Sequence, residues 1–273
     1  MDFINQRHRT RRDRKELIGL ALASSPIVLF LFVPFAALVC SVHPAEWLVA
    51  VHSPEAVDAL VLTLRTTFIS TAFCVVLGLP VALLLARHEF HGRELLDTLV
   101  DLPISVPPVV AGVALLLAFG RAGLIGKHLD AHGIDIGFTT TAVIMAQTLI
   151  AAPFFVKTAR AGFESIDSNL ESAARVLGAE PWRTFWTVTC PLARPALLAG
   201  TLLAWARALS EFGATMMFAG NFEGTTQTLP LAVMSAFQSD LQTAVAISTV
   251  SLALSVVALA GAKLLARRWR VSW

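Results

Sequence analysis

The sequence predicts an all-α protein that crosses a membrane six times, and three observations carry that prediction. Of 273 residues, 56% are hydrophobic and 15% charged, where a soluble domain has about a quarter charged. Six stretches hold the roughly 20 mostly apolar residues that a helix needs to cross the hydrocarbon core. Lys and Arg gather on one side of those stretches and are nearly missing from the other. The net charge of +2 hides this asymmetry and points to no nucleic-acid partner.

The chain opens on a basic tail at 1–16, "MDFINQRHRTRRDRKE". The apolar run at 17–42 is too long for a cleaved signal and has no clear A-x-A site, so it reads as the first span. The second span, 58–86, carries Thr63, Thr67, Ser70, Thr71 and Cys74 at i, i+4, i+7, i+8 and i+11. Those polar side chains either bond back to their own helix or form a wetted face beside a pathway. Arg65 in this span and Gln147 in the fourth are expected to face inward, because such groups are costly against lipid. The third span, 100–119, opens with "DLPISVPPVVAG". Pro103, Pro107 and Pro108 remove amide donors, so its helix is expected to start late or to kink. The fourth, fifth and sixth spans are 138–158, 195–219 and 241–266, and a tail closes the chain at 266–273.

With the N-terminus inside, seventeen Lys and Arg fall in the two tails and in the loops after the second and fourth spans. Only Arg121 and Lys127 fall outside. The positive-inside rule then places both termini in the cytoplasm. Cys40, Cys74 and Cys190 are far apart and suggest neither a disulfide framework nor a metal site.

The loop between the fourth and fifth spans holds "SNLESAARVLGAEPWRTFW" at 168–186. Ser168 and Glu171 fit an S-x-x-E capping box, so a helix is expected from Asn169. Leu170, Ala173, Ala174 and Leu177 follow at i, i+3, i+4 and i+7, forming one apolar stripe. Gly178 suits a left-handed C-terminal cap. Pro181 suits the first turn of a second helix, with Trp182, Phe185 and Trp186 on one face. A stripe of small residues permits close approach by a protein partner. The alternative is a helix resting on lipid headgroups.

In the fifth span, Arg207 lies about twelve residues from the start, near the bilayer midplane at roughly 1.5 Å per residue. Arg207, Ser210, Glu211, Ala214 and Thr215 form a polar or small stripe, and Gly200, Ala204 and Ala208 form a stripe suited to close helix contact. Arg207 and Glu211 are either a structural ion pair or part of a pathway that attracts an anion and still releases it.

Here the residues resemble a family. The loop is similar to the EAA loop of ABC importer permeases, which reads E-A-A, three residues, G, nine residues, I-x-L-P. The corresponding residues are Ser172-Ala173-Ala174, Gly178, then Val188, Cys190 and Pro191. Ser172 stands where the motif has Glu, with Glu171 one place earlier, and Val188 and Cys190 replace Ile and Leu. The resemblance implies that Glu171, Ser172, Ala173, Ala174, Leu177, Gly178 and Pro181 couple this chain to an ATP-hydrolysing subunit. "LPISVPPVVAGVALL", "ALSEFGAT" and "GNFEGTTQTLPLAV" further resemble the molybdate permeases, and sulfate permeases share much of that pattern.

The likeness covers about 56–265. It implies a type I permease domain over that range, with its cytoplasmic coupling loop at 159–194. It also implies a bacterial-type cytoplasmic (inner) membrane, two ATPase subunits that hold ATP and Mg, an external binding protein, and a second, identical permease chain. No cofactor is expected on this chain. Arg207, Ser210, Glu211, Thr215, Thr67, Ser70 and Thr71 are the expected translocation residues for a tetrahedral oxyanion.

Other classes fit less well. H-E-x-x-H, G-x-S-x-G and a pair of intramembrane aspartates are missing, so an intramembrane enzyme is not indicated. "GRAGLIGKH" at 120–128 is a broken Walker A pattern, with Arg121 and His128 at required positions. A channel would have no use for a coupling loop.

Overall fold

The computed structural model describes residues 2–42 and 44–268; most of the expected 266–273 tail therefore lies outside the described residues. Helix α1, Asp2–Cys40, contains the apolar stretch Leu22–Cys40, none of which is buried against the rest of the chain. Helix α2, Pro44–Val51, leads to α3, Pro54–Arg87. The Ser53 hydroxyl accepts the Ala56 amide at 3.2 Å and Pro54 fills the first turn, so the start of α3 is fixed locally.

The expected third span is two helices. α4, Arg93–Ser105, and α5, Pro108–Phe119, meet at a 117° bend. Pro107 and Pro108 cause it: Pro108 cannot donate to the preceding turn, and Pro107 adopts an extended backbone. The expected kink is present, but 100–119 is not one continuous helix. α4 is tied to α7, Thr140–Glu164, by ion pairs Arg160–Asp97 at 2.7 Å and Lys157–Asp101 at 2.9 Å. Between α5 and α7 lies the short α6, Gly126–Asp130. Arg121 grips Asp135 through both carboxylate oxygens in this stretch. That bond holds the Asp135 carboxyl below the usual carboxylate range.

After α7 come α8, Ser168–Val176, and α9, Pro181–Thr184. A π-helical turn, Phe185–Thr189, joins α9 to α10, Cys190–Leu209. The expected fifth span is therefore displaced. Its helix runs from Pro181 to Leu209, breaks at 210–212, and resumes as α11, Gly213–Ala219. Helices α12, Leu229–Ser239, and α13, Leu241–Arg268, complete the chain. Among the described residues, five helices are long and apolar enough to cross a membrane, or six if the bent pair counts as one span.

The core is the bundle of α3, α7 and α10. Cys74, Leu85, Phe155, Phe163, Ala204 and Ala208 are buried together in it. Gly200, Ala204 and Ala208 are all buried, as the small-residue stripe predicts. The α7–α10 crossing is close enough that a Cβ on Gly162 would collide with that of Ala196. Close backbone approach between small residues is how helices gain contact where lipid offers no hydrophobic contrast.

Candidate functional site

Two regions carry the chemistry, and the first is α8. It begins at Ser168, not Asn169, because Asp167 is the cap: its carboxylate accepts the Asn169 amide at 2.9 Å. The expected capping box is not formed. Glu171 instead turns inward, where its Oε1 accepts from Arg87 Nη2 at 2.9 Å and from the Thr189 hydroxyl at 2.9 Å. The same Arg87 nitrogen donates to the Ile166 carbonyl at 3.3 Å. So Arg87 at the end of α3 and Thr189 at the end of the π turn clamp α8 from two sides. The Arg87 and Glu171 side chains are only 17% and 12% exposed.

The opposite face of α8 is open. Leu170 and Ala173 are exposed and Leu177 is 87% exposed, while Ala174 is half-buried at the edge. Gly178 ends the helix with φ +87°, and the Ala179 amide bonds to the Ala174 carbonyl. The left-handed cap expected there is formed. Pro181 starts α9, and Trp182, Phe185 and Trp186 pack ring against ring with centroids 5.0–6.3 Å apart. Ser172 bonds to the Ser168 carbonyl. Between the inner face of α8 and the ends of α3 and α9 is a cavity of about 530 Å³, lined by Arg87, Ser172, Arg175 and Thr184 among others.

The second region is the end of α10. Arg207 Nη2 and Glu211 Oε2 are 3.0 Å apart; Glu211 is 1% exposed and Arg207 25%. The other Glu211 oxygen accepts the Ala214 amide at 2.8 Å, so this carboxylate also caps α11. Arg207 therefore sits beside a helix break, not within a continuous helix. A carboxylate that accepts the free amides of the next helix makes that break locally stable. Arg207 reaches the Ser210 hydroxyl at 3.5 Å, and Ser210 is exposed. Thr215 is fully buried, and its hydroxyl has no partner among the described residues.

The hydroxyl stripe of α3 lies inside the helix bundle. Thr63 bonds to the Ala59 carbonyl at 2.7 Å and accepts the Leu229 amide at 2.8 Å, which fixes the start of α12. Thr67 bonds to the Leu64 carbonyl and accepts from Trp205 Nε1 at 3.2 Å. Ser70 donates to the Thr67 carbonyl and to Gln147 Oε1, whose amide nitrogen donates to Thr66. Thr71 is buried, and its hydroxyl has no partner among the described residues. Thr63, Thr67 and Ser70 both bond back to their own helix and join α3 to α12, α10 and α7. Gln147 faces inward as expected. Arg65 does not: it is exposed on the outer face of α3. Sequence reasoning also missed Arg87 and Thr189, because their link to Glu171 spans 84 and 18 residues with no local pattern.

Residues 75–271 match the family described as the binding-protein-dependent transport system inner membrane component. The chain belongs to that family. The permease is 40% identical over 234 residues to the molybdenum transport system permease protein ModB of Mycobacterium tuberculosis, covering 86% of this chain and 89% of the relative. It is 39% identical over 213 residues to ModB of Escherichia coli K12, covering 77% and 93%. The sulfate transport system permease CysT of E. coli K12 is 35% identical over 254 residues, covering 90% and 92%. Among solved structures, a bacterial alginate ABC importer superposes with TM-score 0.75 at 18% identity, covering 96% of the permease and 99% of that chain. The MetNI methionine transporter gives 0.61 at 22%, covering 80% and 97%. The permease thus has the fold of a type I ABC importer permease.

Proposed function

We propose that the permease moves a tetrahedral oxyanion into the cytoplasm, with molybdate first, tungstate equivalent in chemistry, and sulfate as the alternative. The relatives named for molybdenum transport support molybdate. The observation that carries the coupling is α8 itself: a short capped helix with one face clamped to α3 and the other apolar and open. A helix resting on lipid would not need the clamp. In this reading Glu171 holds the handle, and Ala173, Ala174 and Leu177 fit a groove of an ATPase subunit. Ser172, Gly178 and Pro181 shape its ends. Two ATPase chains hold ATP and Mg, a second identical permease chain completes the path, and an external binding protein delivers cargo.

The permease domain spans 56–265 with its coupling loop at 159–194, and both termini are cytoplasmic. Arg207 and Ser210 face the path; Glu211 tempers the charge of Arg207, and Thr215 lies behind it. Thr67, Ser70 and Thr71 are the wall that holds Trp205 and Gln147 in place. No chemistry on ATP is done by this chain.

The test is uptake by proteoliposomes holding permease, ATPase and binding protein. Molybdate uptake should need ATP and the binding protein, and excess sulfate should compete poorly. Uptake without ATP would make the chain a channel. Equal competition by sulfate would move the substrate to sulfate. Topology is tested in a Cys-free variant: His132→Cys and Gly224→Cys should react with an impermeant thiol reagent from outside, and Glu180→Cys should not.

A further inference from the structure

Two buried clusters divide the bundle, and the chain is weakened wherever it passes between them. The inner cluster holds Ala151, Phe155 and Phe163 of α7 with Ala208 of α10, and Val100 of α4 packs on it. The outer cluster holds Ala111 of α5, Ala146 and Ile150 of α7, and Ala214 and Phe218 of α11, and Val106 packs on it. Three stretches cross from one to the other. α7 crosses between Ile150 and Ala151. Pro153 has no amide to donate to the Leu149 carbonyl, so the helix bond that would span this step is missing. The chain from α4 to α5 crosses between Val100 and Val106, at Pro103, and then turns through the 117° bend. The chain from α10 to α11 crosses between Ala208 and Ala214, through the break at 210–212. By contrast, α3 runs from Pro54 to Arg87 and contributes to the inner cluster alone of these two. It meets the first half of α7 through Gln147, which is bonded to Ser70 and Thr66.

The outer elements are packed as a unit. A Cβ on Gly112 would fall 2.7 Å from the Ala214 carbonyl oxygen, and one on Gly213 would fall 3.1 Å from Pro108 and from the Val109 amide nitrogen. The Phe138 amide donates to the Phe218 carbonyl at 3.2 Å, which ties the start of α7 to α11. So α5, α11 and the first half of α7 have little room to slide on one another. One bridge crosses the α10–α11 break. Arg207, on the inner side, meets Glu211 at 3.0 Å, and Glu211 accepts the amide of Ala214, on the outer side, at 2.8 Å. Glu211 is buried, so water does not compete for these bonds.

We propose that α5, the first half of α7 and α11 turn as one body on the rest of the bundle, and that the Arg207–Glu211–Ala214 bridge is the catch that holds one position. The pivots are 103–107, Pro153 and 210–212. Helices bend most readily where the ladder of helix bonds is already interrupted, and a hinge needs only a few such residues. This rests on the importer reading above. There α8 is clamped to the end of α3, so a pull on α8 by the ATPase reaches the inner body first. A change of about 20° at Pro153 would carry Thr141, about 18 Å away along the helix, by about 6 Å.

The experiment uses the full transporter in lipid, Cys-free, with spin labels in one permease chain per complex. Thr98, Thr141 and Ala161 are exposed and accept labels. Thr98→Cys/Thr141→Cys spans the hinge, and Thr98→Cys/Ala161→Cys lies within the inner body. Binding of a non-hydrolysable ATP analogue should change the first distance by about 3–6 Å and leave the second fixed. An unchanged first distance in complexes that take up molybdate overturns the proposal. So does an equal change in both distances. Glu211→Gln removes the charge from the catch and should shift the nucleotide-free distance toward the ATP-bound one; an unshifted distance overturns the catch. Pro153→Ala restores the missing donor and should slow uptake about threefold to tenfold, the scale of one hydrogen bond. Pro153→Gly restores the donor but keeps backbone freedom, so its uptake should lie closer to wild type. Wild-type uptake by Pro153→Ala, or its failure to assemble, overturns the pivot at Pro153. A wild-type complex that shows the distance change yet takes up no molybdate would overturn the proposed substrate and leave the hinge standing.

Discussion

Breaking the clamp on α8 should free the handle without unfolding the bundle. Arg87→Met keeps length and apolar volume but leaves the Glu171 carboxylate with the Thr189 hydroxyl in place of its ion pair. Removing one partner of a buried ion pair costs about 3–5 kcal/mol. The 17% and 12% exposure of this pair admits some water, so the low end, about 3 kcal/mol, applies. Glu171→Gln is milder. The amide oxygen can still accept from Arg87 and Thr189, and only the charge is lost, at about 1–1.5 kcal/mol, the difference between charged and neutral hydrogen bonds. The double variant Arg87→Met/Glu171→Met leaves no stranded charge and should cost less than Arg87→Met alone. The assay is amide hydrogen exchange over 168–177, with ATP-dependent uptake measured on the same samples. A loss of about 3 kcal/mol should speed exchange through local opening by about 100-fold, at 1.4 kcal/mol per tenfold. Uptake should fall in the same order: Arg87→Met lowest, then the double variant and Glu171→Gln. Wild-type exchange in Arg87→Met would refute the clamp. A double variant worse than Arg87→Met would show that the pair is not what holds α8.

Ala173→Trp puts bulk on the open face of α8, where a groove should receive it; the chain should fold normally and lose its ATPase on gentle purification, and full retention would reject the handle. A Cβ at Gly178 would meet no atom of the described residues within 4 Å, so the cost expected of Gly178→Val is the backbone strain at φ +87°, about 1–2 kcal/mol, read as faster exchange at the end of α8. Arg207→Leu strands the buried Glu211 and should lower thermal stability, and Arg207→Leu/Glu211→Gln should recover much of it; recovery of stability without transport would separate pathway from structure. The Asp135 carboxyl is lowered by its bonds from Arg121, so its contribution is present above the ordinary carboxylate range near about pH 4 and lost as pH falls through the lower folded value. Protease nicking of 120–139 should therefore rise at acid pH in the wild type, and Asp135→Asn should nick readily at every pH; a pH-independent wild type would remove the assignment.

Apolar runs, Lys and Arg placement and the spacing at Ala173, Ala174, Gly178 and Pro191 were enough to give the class, the expected topology and the candidate handle, because each depends on neighbours close in sequence. The left-handed cap at Gly178 and the burial of Gly200, Ala204 and Ala208 were legible for the same reason. Tertiary structure decided the rest. Glu171 fits a local capping box on paper, yet Arg87 and Thr189 take its carboxylate, since an arginine brought within 2.9 Å outweighs a cap that Asp167 can supply instead. The helix through Arg207 reads as unbroken because apolar composition is continuous there, and only the long-range packing of Gly213 against Pro108 and Val109, with Glu211 capping α11, makes a break at 210–212 stable. The outward face of Arg65 follows from which side of α3 the other helices cover. Periodicity can give the spacing of a face, but which face is covered is fixed only when α7, α10 and α12 bury the hydroxyl side and leave the arginine side open.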